Sequence, residues 1–380
     1  MPGFSYGSAM RFLTVAVALT LCASAAATPL PPAGSGDDPG GYAYIAEPVA
    51  RHVTLLRQRE SFHVQPRANV EIIEQARGVV LIDTGGSTPG AEAVIAHVRA
   101  QTRKPVTAIV ITQWHGDHAL GAARLLQEWP RARLISTGAT RDHLANPAMD
   151  AFMPGDNAAR NASLQQQIAG AVGYFEHEAQ DANLTAGERA HFAITAHEYA
   201  AYGRDMAATP HRATPTEIFT DQLNLHDREA PVELHFLGRA NTDGDAVVWL
   251  PRQRVLITSG IVVSPIPYGY GGYPHDWIGV LRRLETFPFA SLIPAHGAPM
   301  HDHAYLDRLI GLIEAVQAQV APLATLSAEG VAGRVDLSRE RAQFVGSDPW
   351  LVRWFDQYWT APAVSSALRE ARGQPIVQGQ

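Results

Sequence analysis

Between residues 69 and 118 the chain alternates short β-branched runs with one helical run, then ends in a knot of metal-type ligands. NVEIIEQ (69–75) and GVVLIDT (78–84) have strand composition, and Asp83-Thr84-Gly85-Gly86 closes the second with turn chemistry. PGAEAVIAHVRAQT (89–102) carries apolar residues at helical spacing, and AIVIT (108–112) is a buried-type strand. Strand, helix and strand in this order constrain the fold more than any other feature, because they specify a layered α/β architecture. Directly after the last strand stand Gln113, His115, Asp117 and His118. Loops at the carboxyl ends of such strands are where sites form.

The same logic orders the rest of the chain. HVTLLRQ (52–58) reads as an earlier strand, and strands resume at VELHFLG (232–238), AVVWL (246–250), RVLITS (254–259) and SLIPAHG (291–297). Helices are predicted at 277–286 and near 303–320. Residues 139–220, rich in Ala, Gln, Glu and His, read as a helical insertion that interrupts the strand pattern. The expected organisation is a signal peptide (1–27), a flexible linker (28–44), one α/β domain (45–320) carrying that insertion, and a helical C-terminal extension (321–380).

The leader reading rests on Arg11, the apolar run FLTVAVALTLCASAAA and the small residues Ala25-Ala26-Ala27. It predicts a periplasmic or secreted protein with no membrane segment in its mature form. The single cysteine, Cys22, lies inside that leader, so disulfides, a thiol nucleophile and thiolate metal ligands are excluded from the mature chain. Any metal must then be held by His, Asp, Glu or an amide oxygen. A net charge of −7 argues against nucleic acid as a partner and leaves a small-molecule substrate.

Four segments in order, VVLIDTGG (79–86), TQWHGDH (112–118), GRANTDGDAVVWLP (238–251) and LIPAHGAP (292–299), resemble the metallo-β-lactamase superfamily over roughly residues 45–310. The resemblance implies an αββα sandwich with a metal site along one edge. It implies a complete metal position at Asp117, His118 and His296, and a modified one at Gln113, His115 and Asn241. Asn241 stands where the family has histidine, Gln113 matches some lactamases of the third subclass, and Ser259-Gly260 stands where many relatives carry a bridging carboxylate. Asp83 is expected to support the site rather than ligate. Three protein ligands with an open fourth position is a catalytic zinc arrangement, so one zinc ion, with room for a second, is expected.

The function these features imply is a secreted zinc-dependent hydrolase in which a metal-activated water attacks an ester-, lactone-, lactam- or thioester-like centre, with Asp117 ligating the metal and orienting the water. Tyr268, Tyr270 and His275, on the glycine-rich loop PIPYGYGGYPHDW (265–277), are candidates for substrate binding. Two readings compete: a binding protein on the same scaffold that has lost turnover, and a mononuclear iron oxygenase built on two histidines and a carboxylate.

Overall fold

The computed structural model describes residues 44–378, apart from 59–60 and 65–66. The expected leader, Cys22 and nearly all of the linker lie outside the described residues.

Two sheets form. The first has seven strands in chain order: β1 (Ile45–Ala50), β2 (Val53–Arg57), β3 (Val70–Glu74), β4 (Val79–Ile82), β5 (Val106–Val110), β6 (Arg133–Thr137) and β7 (Glu217–Phe219). It is antiparallel from β1 to β4 and parallel from β4 to β7. The second is β8 (Gln222–Leu225), β9 (Val232–Phe236), β10 (Ala246–Leu250), β11 (Val255–Ile257) and β12 (Ser291–Ile293), antiparallel except where β12 lies parallel to β11.

Side-chain alternation along the strands builds the layers. In β10, Ala246, Val248 and Leu250 join Val53, Leu55, Ile73, Val80, Ile82 and Val110 in one apolar cluster between the sheets. The intervening Val247 and Trp249 point the other way, into a cluster with α7 (Pro274–Leu284), α8 (Ala304–Val320) and the tail helices. On the far side of the first sheet, Ile72, Leu81 and Ile109 pack on α1 (Thr88–Gln101) and, beyond the short α2 (Gly116–Ala119), on α3 (Ala122–Glu128). The order is helix, sheet, sheet, helix, as expected. Each fully buried aliphatic side chain in these layers contributes roughly 1.5–3 kcal/mol of transfer free energy.

The 139–220 stretch is helical only in part. It holds α4 (Gly138–Ala145), α5 (Ala158–Glu178) and α6 (Ala186–Ala207), then returns to the first sheet as β7. Thr185 and Glu188 make a reciprocal capping box that starts α6. The C-terminal extension is α9 (Ala328–Ala332), α10 (Ser338–Val345), α11 (Pro349–Phe355) and α12 (Ala361–Ala371). Trp354 and Trp359 are buried in the cluster on α8, which gives the extension its anchor. No helix among the described residues is long and apolar enough to cross a membrane.

Candidate metal centre

The site forms where β5 runs out at the edge between the sheets. The Ala246 amide at the head of β10 donates to Thr112 O (2.8 Å), joining the two sheets there. The chain then bends: Gly116–Ala119 is a single helical turn, which sets Asp117 and His118 side by side. Beneath that turn the 83–87 loop comes backbone to backbone. A Cβ on Gly86 (φ 72°) would stand 2.9 Å from Asp117 Cα, so only glycine allows this approach. His296 arrives on the loop after β12, which Asn69 holds: its backbone amide donates to Ala295 O (2.7 Å), and its side-chain amide to Pro294 O (2.9 Å) and Gly297 O (3.0 Å).

These elements bring Asp117, His118 and His296 together, one ligand atom from each lying within 4.8 Å of the others. Asp117 Oδ2 is 3.0 Å from His296 Nε2 and 3.5 Å from His118 Nε2. The opposite nitrogen of His118, Nδ1, donates to Asp83 Oδ2 (2.7 Å). Asp83 also accepts from the Thr112 amide (2.8 Å) and the Thr112 hydroxyl (2.8 Å to Oδ2). A carboxylate behind a ligating imidazole fixes its tautomer, with the lone pair on Nε2, the nitrogen on the Asp117 side. The donor set therefore fits one divalent ion.

The other three candidates, Gln113, His115 and Asn241, lie close around the trio. Strand alternation would carry Gln113, His115 and Asp117 to one side, but it ends at His115 because the next residue starts a helical turn. His115 lies outside the trio and packs edge-on against Trp114 (4.3 Å between centroids). Gln113 turns inward, its amide nitrogen 2.7 Å from His118 Nε2 and its buried Oε1 without a hydrogen-bond partner. Asn241 donates to Tyr268 O (2.7 Å) and so tethers the tyrosine loop. A side chain at 260 would collide with the Gln113 amide and approach Asn241 Oδ1 to 3.0 Å, so glycine there is what admits the two amides. These residues do not fit a three-imidazole metal position.

Tyr268 stands with its ring 5.5 Å from that of His296, whereas Tyr270 lies further out, donating to Gln357 O (3.1 Å). His275 is a correction. It is exposed in the first turn of α7, where its backbone amide faces Glu370, and no contact joins it to the trio. Apolar packing of Pro274, Trp277 and Leu281 directs that face of α7 into the core, leaving His275 on the opposite side. Sequence reasoning missed Asn69 and Thr112 as supports, and nothing local in sequence marks Asn69.

Charge within the cluster is strongly coupled. Burial opposes ionisation of Asp117, but His118, His296 and His115 outweigh it and hold the carboxyl well below its ordinary range. Burial pushes His115 down to about 4. In the metal-free chain burial also works against a charge on His118, yet Asp83 and Asp117 overcome it and raise the imidazole to about 9. A folded-state value above the ordinary 6.5 gives stability present in full below about pH 6.5 and lost as pH rises through about 9. Asp245, raised by burial to about 7, completes most of its own titration below that upper limit. Chelator-treated protein is therefore expected to lose on the order of 5 °C of Tm between pH 7 and 9. Calorimetry across that range checks this, and a flat profile would mean His118 is already neutral.

The family model of the metallo-beta-lactamase superfamily matches residues 67–296 of this chain. A linear primary-alkylsulfatase from Pseudomonas sp. is 25% identical over 248 residues, which are 63% of this chain and 43% of that protein. An atrochrysone carboxyl ACP thioesterase from Aspergillus chevalieri is 37% identical over 65 residues, 17% of this chain and 21% of that protein. The chain thus spans less than half the length of either curated relative. Among solved structures, a metallo-beta-lactamase from Pontibacter korlensis is similar at a TM-score of 0.49 with 17% identity, covering 71% of this chain and 99% of that one.

Proposed function

Because the chain belongs to the metallo-β-lactamase superfamily, we propose that it is a zinc-dependent hydrolase of ester-type bonds in small molecules, working with one metal ion per chain. The observation that carries this reading is the convergence of Asp117 Oδ2, His118 Nε2 and His296 Nε2, with Asp83 behind His118. The names of two relatives, a sulfatase and a thioesterase, support ester-type chemistry over lactam cleavage.

When bound, zinc supplies Lewis acidity and lowers the pKa of a water toward about 7. Asp117, kept ionised, is placed to orient that water by accepting its hydrogen bond. His118 keeps its Nδ1 proton on Asp83, which fixes the ring. Tyr268, tied to Asn241 through its backbone carbonyl, covers His296 and limits access of bulk water.

The test is elemental analysis of full-length protein purified without chelator, beside hydrolysis of carboxylic, thio- and sulfate esters. About one equivalent of zinc is expected, with turnover lost on chelation and restored by zinc. Two tightly held equivalents would contradict the single-ion reading, and no metal-dependent turnover on any ester would contradict the hydrolase. Two imidazoles and a carboxylate also suit iron(II), so iron in place of zinc would move the reading to an oxygenase.

A further inference from the structure

Four tyrosines from three separate segments enclose the side of the trio that faces α6. Tyr268, in the loop before α7, lies 5.5 Å from the His296 ring and 5.2 Å from the ring of Tyr358, which belongs to the helical stretch between α11 and α12. The Tyr358 side chain hydrogen-bonds that of Tyr199 on α6. Tyr199 stands 6.3 Å edge-on from Tyr202, one turn further along that helix. Tyr202 in turn is close enough to Asp117 to feel its charge. The path runs from one metal ligand, across four aromatic rings, back to another. Tyr199, Tyr202 and Tyr268 are partly exposed, whereas Tyr358 is buried. Arg67, which also acts on Tyr202, is paired with Asp205 (2.6 Å), so its charge is already balanced by a carboxylate.

We propose that this tyrosine wall is a recognition surface for an uncharged alkyl or aryl body carried by the ester substrate. The proposal deepens, and rests on, the hydrolase reading of the same centre. Aromatic faces bury apolar area at low cost in side-chain entropy, because each ring has two rotatable angles and here each is braced by its neighbours. The Tyr199 hydroxyl is engaged by Tyr358, so the partly exposed rings present mainly apolar surface. A wall assembled from the insertion, a loop and the C-terminal extension gives those added segments a role that the sandwich alone does not supply.

The experiment compares p-nitrophenyl acetate, butyrate and octanoate on the zinc-loaded full chain, together with calorimetric binding of butanoate and decanoate below their aggregation limits. Both kcat/KM and affinity are expected to rise with chain length, by at least about tenfold across each series, since a fully buried methylene is worth about fourfold. Tyr199→Ala and Tyr268→Ala should flatten this dependence, while Tyr199→Phe, which keeps the ring and loses the hydroxyl, should retain it. Turnover with no dependence on chain length would overturn the wall and leave the hydrolase standing. Chain-length-dependent binding without any turnover would overturn the hydrolase and leave the wall. If Tyr199→Phe loses the dependence as fully as Tyr199→Ala, the hydroxyl bond is the active feature and the apolar wall is wrong.

Discussion

Replacing either His118 or His296 with alanine is expected to abolish metal retention and, with it, all metal-dependent turnover. Each supplies one of three convergent ligand atoms, and two remaining ligands cannot hold an ion while keeping a position open for water. The loss should exceed the roughly 10–100-fold that removal of a supporting partner costs in metal affinity. The two variants should differ in stability, which guards against reading a folding defect as a ligand effect. His296→Ala forfeits the contact of Nε2 with Asp117 Oδ2 (3.0 Å), but Asp117 is partly exposed and can turn to water, and the buried Nδ1 has no partner to lose. His118→Ala strips a donor from Asp83, which is 3% exposed and left with Thr112 alone. Leaving a buried acceptor short of a partner costs about 1–3 kcal/mol, so His118→Ala should unfold at lower urea than His296→Ala. Metal content, chelator competition and urea titration of the two proteins check this. Wild-type metal content in either variant would remove that residue from the centre.

How much of this was legible beforehand follows from what kind of information each feature needs. The strands β3, β4 and β10 announce themselves because they are continuous β-branched runs buried on both faces, and α1 because its apolar residues repeat at helical spacing. β1, β6, β7 and β8 were not read. β1 and β8 are edge strands with exposed residues, and β7 has three residues at the end of a helical stretch, so none offers a long apolar run. Asp117, His118 and His296 were found by their motif, although 178 positions separate His118 from His296 in sequence. Where the motif departs from the family pattern, at Gln113 and Asn241, sequence could say only that a poor ligand stands there. That each amide has other work, against His118 and on Tyr268 O, depends on side-chain directions set by the helical turn at Gly116 and the space left by Gly260. The tyrosine wall was half visible: Tyr268 and Tyr270 sit in a conspicuous loop, but Tyr199, Tyr202 and Tyr358 join it only through tertiary packing of α6 and the tail.

Asp83→Asn separates the role of the ligands from the role of the group that positions them. The substitution is close to isosteric, and Asp83 has φ 61°, a left-handed conformation that asparagine tolerates better than other side chains, so the backbone has little reason to move. The hydrogen bonds are what change. The carboxylate accepts from the Thr112 amide, the Thr112 hydroxyl and His118 Nδ1. An asparagine amide has one acceptor oxygen, and its NH₂ must face at least one of these donors, unless His118 changes tautomer and presents Nδ1 as an acceptor. That tautomer puts the proton on Nε2, the atom needed for the metal. Metal affinity should fall about 10–100-fold, the range for a lost partner behind a ligating histidine. Because Asp83 touches neither the open position nor the tyrosine wall, excess zinc should restore most of kcat with KM for substrate nearly unchanged. The pH dependence provides an independent readout: without the Asp83 charge, the raised His118 imidazole should return toward its ordinary value, and the loss of Tm between pH 7 and 9 in chelated protein should shrink. A variant with the wild-type chelator midpoint and the wild-type pH profile would show that Asp83 only braces the 83–87 turn through Thr112, and that Asp117 and the surrounding burial alone set the state of His118.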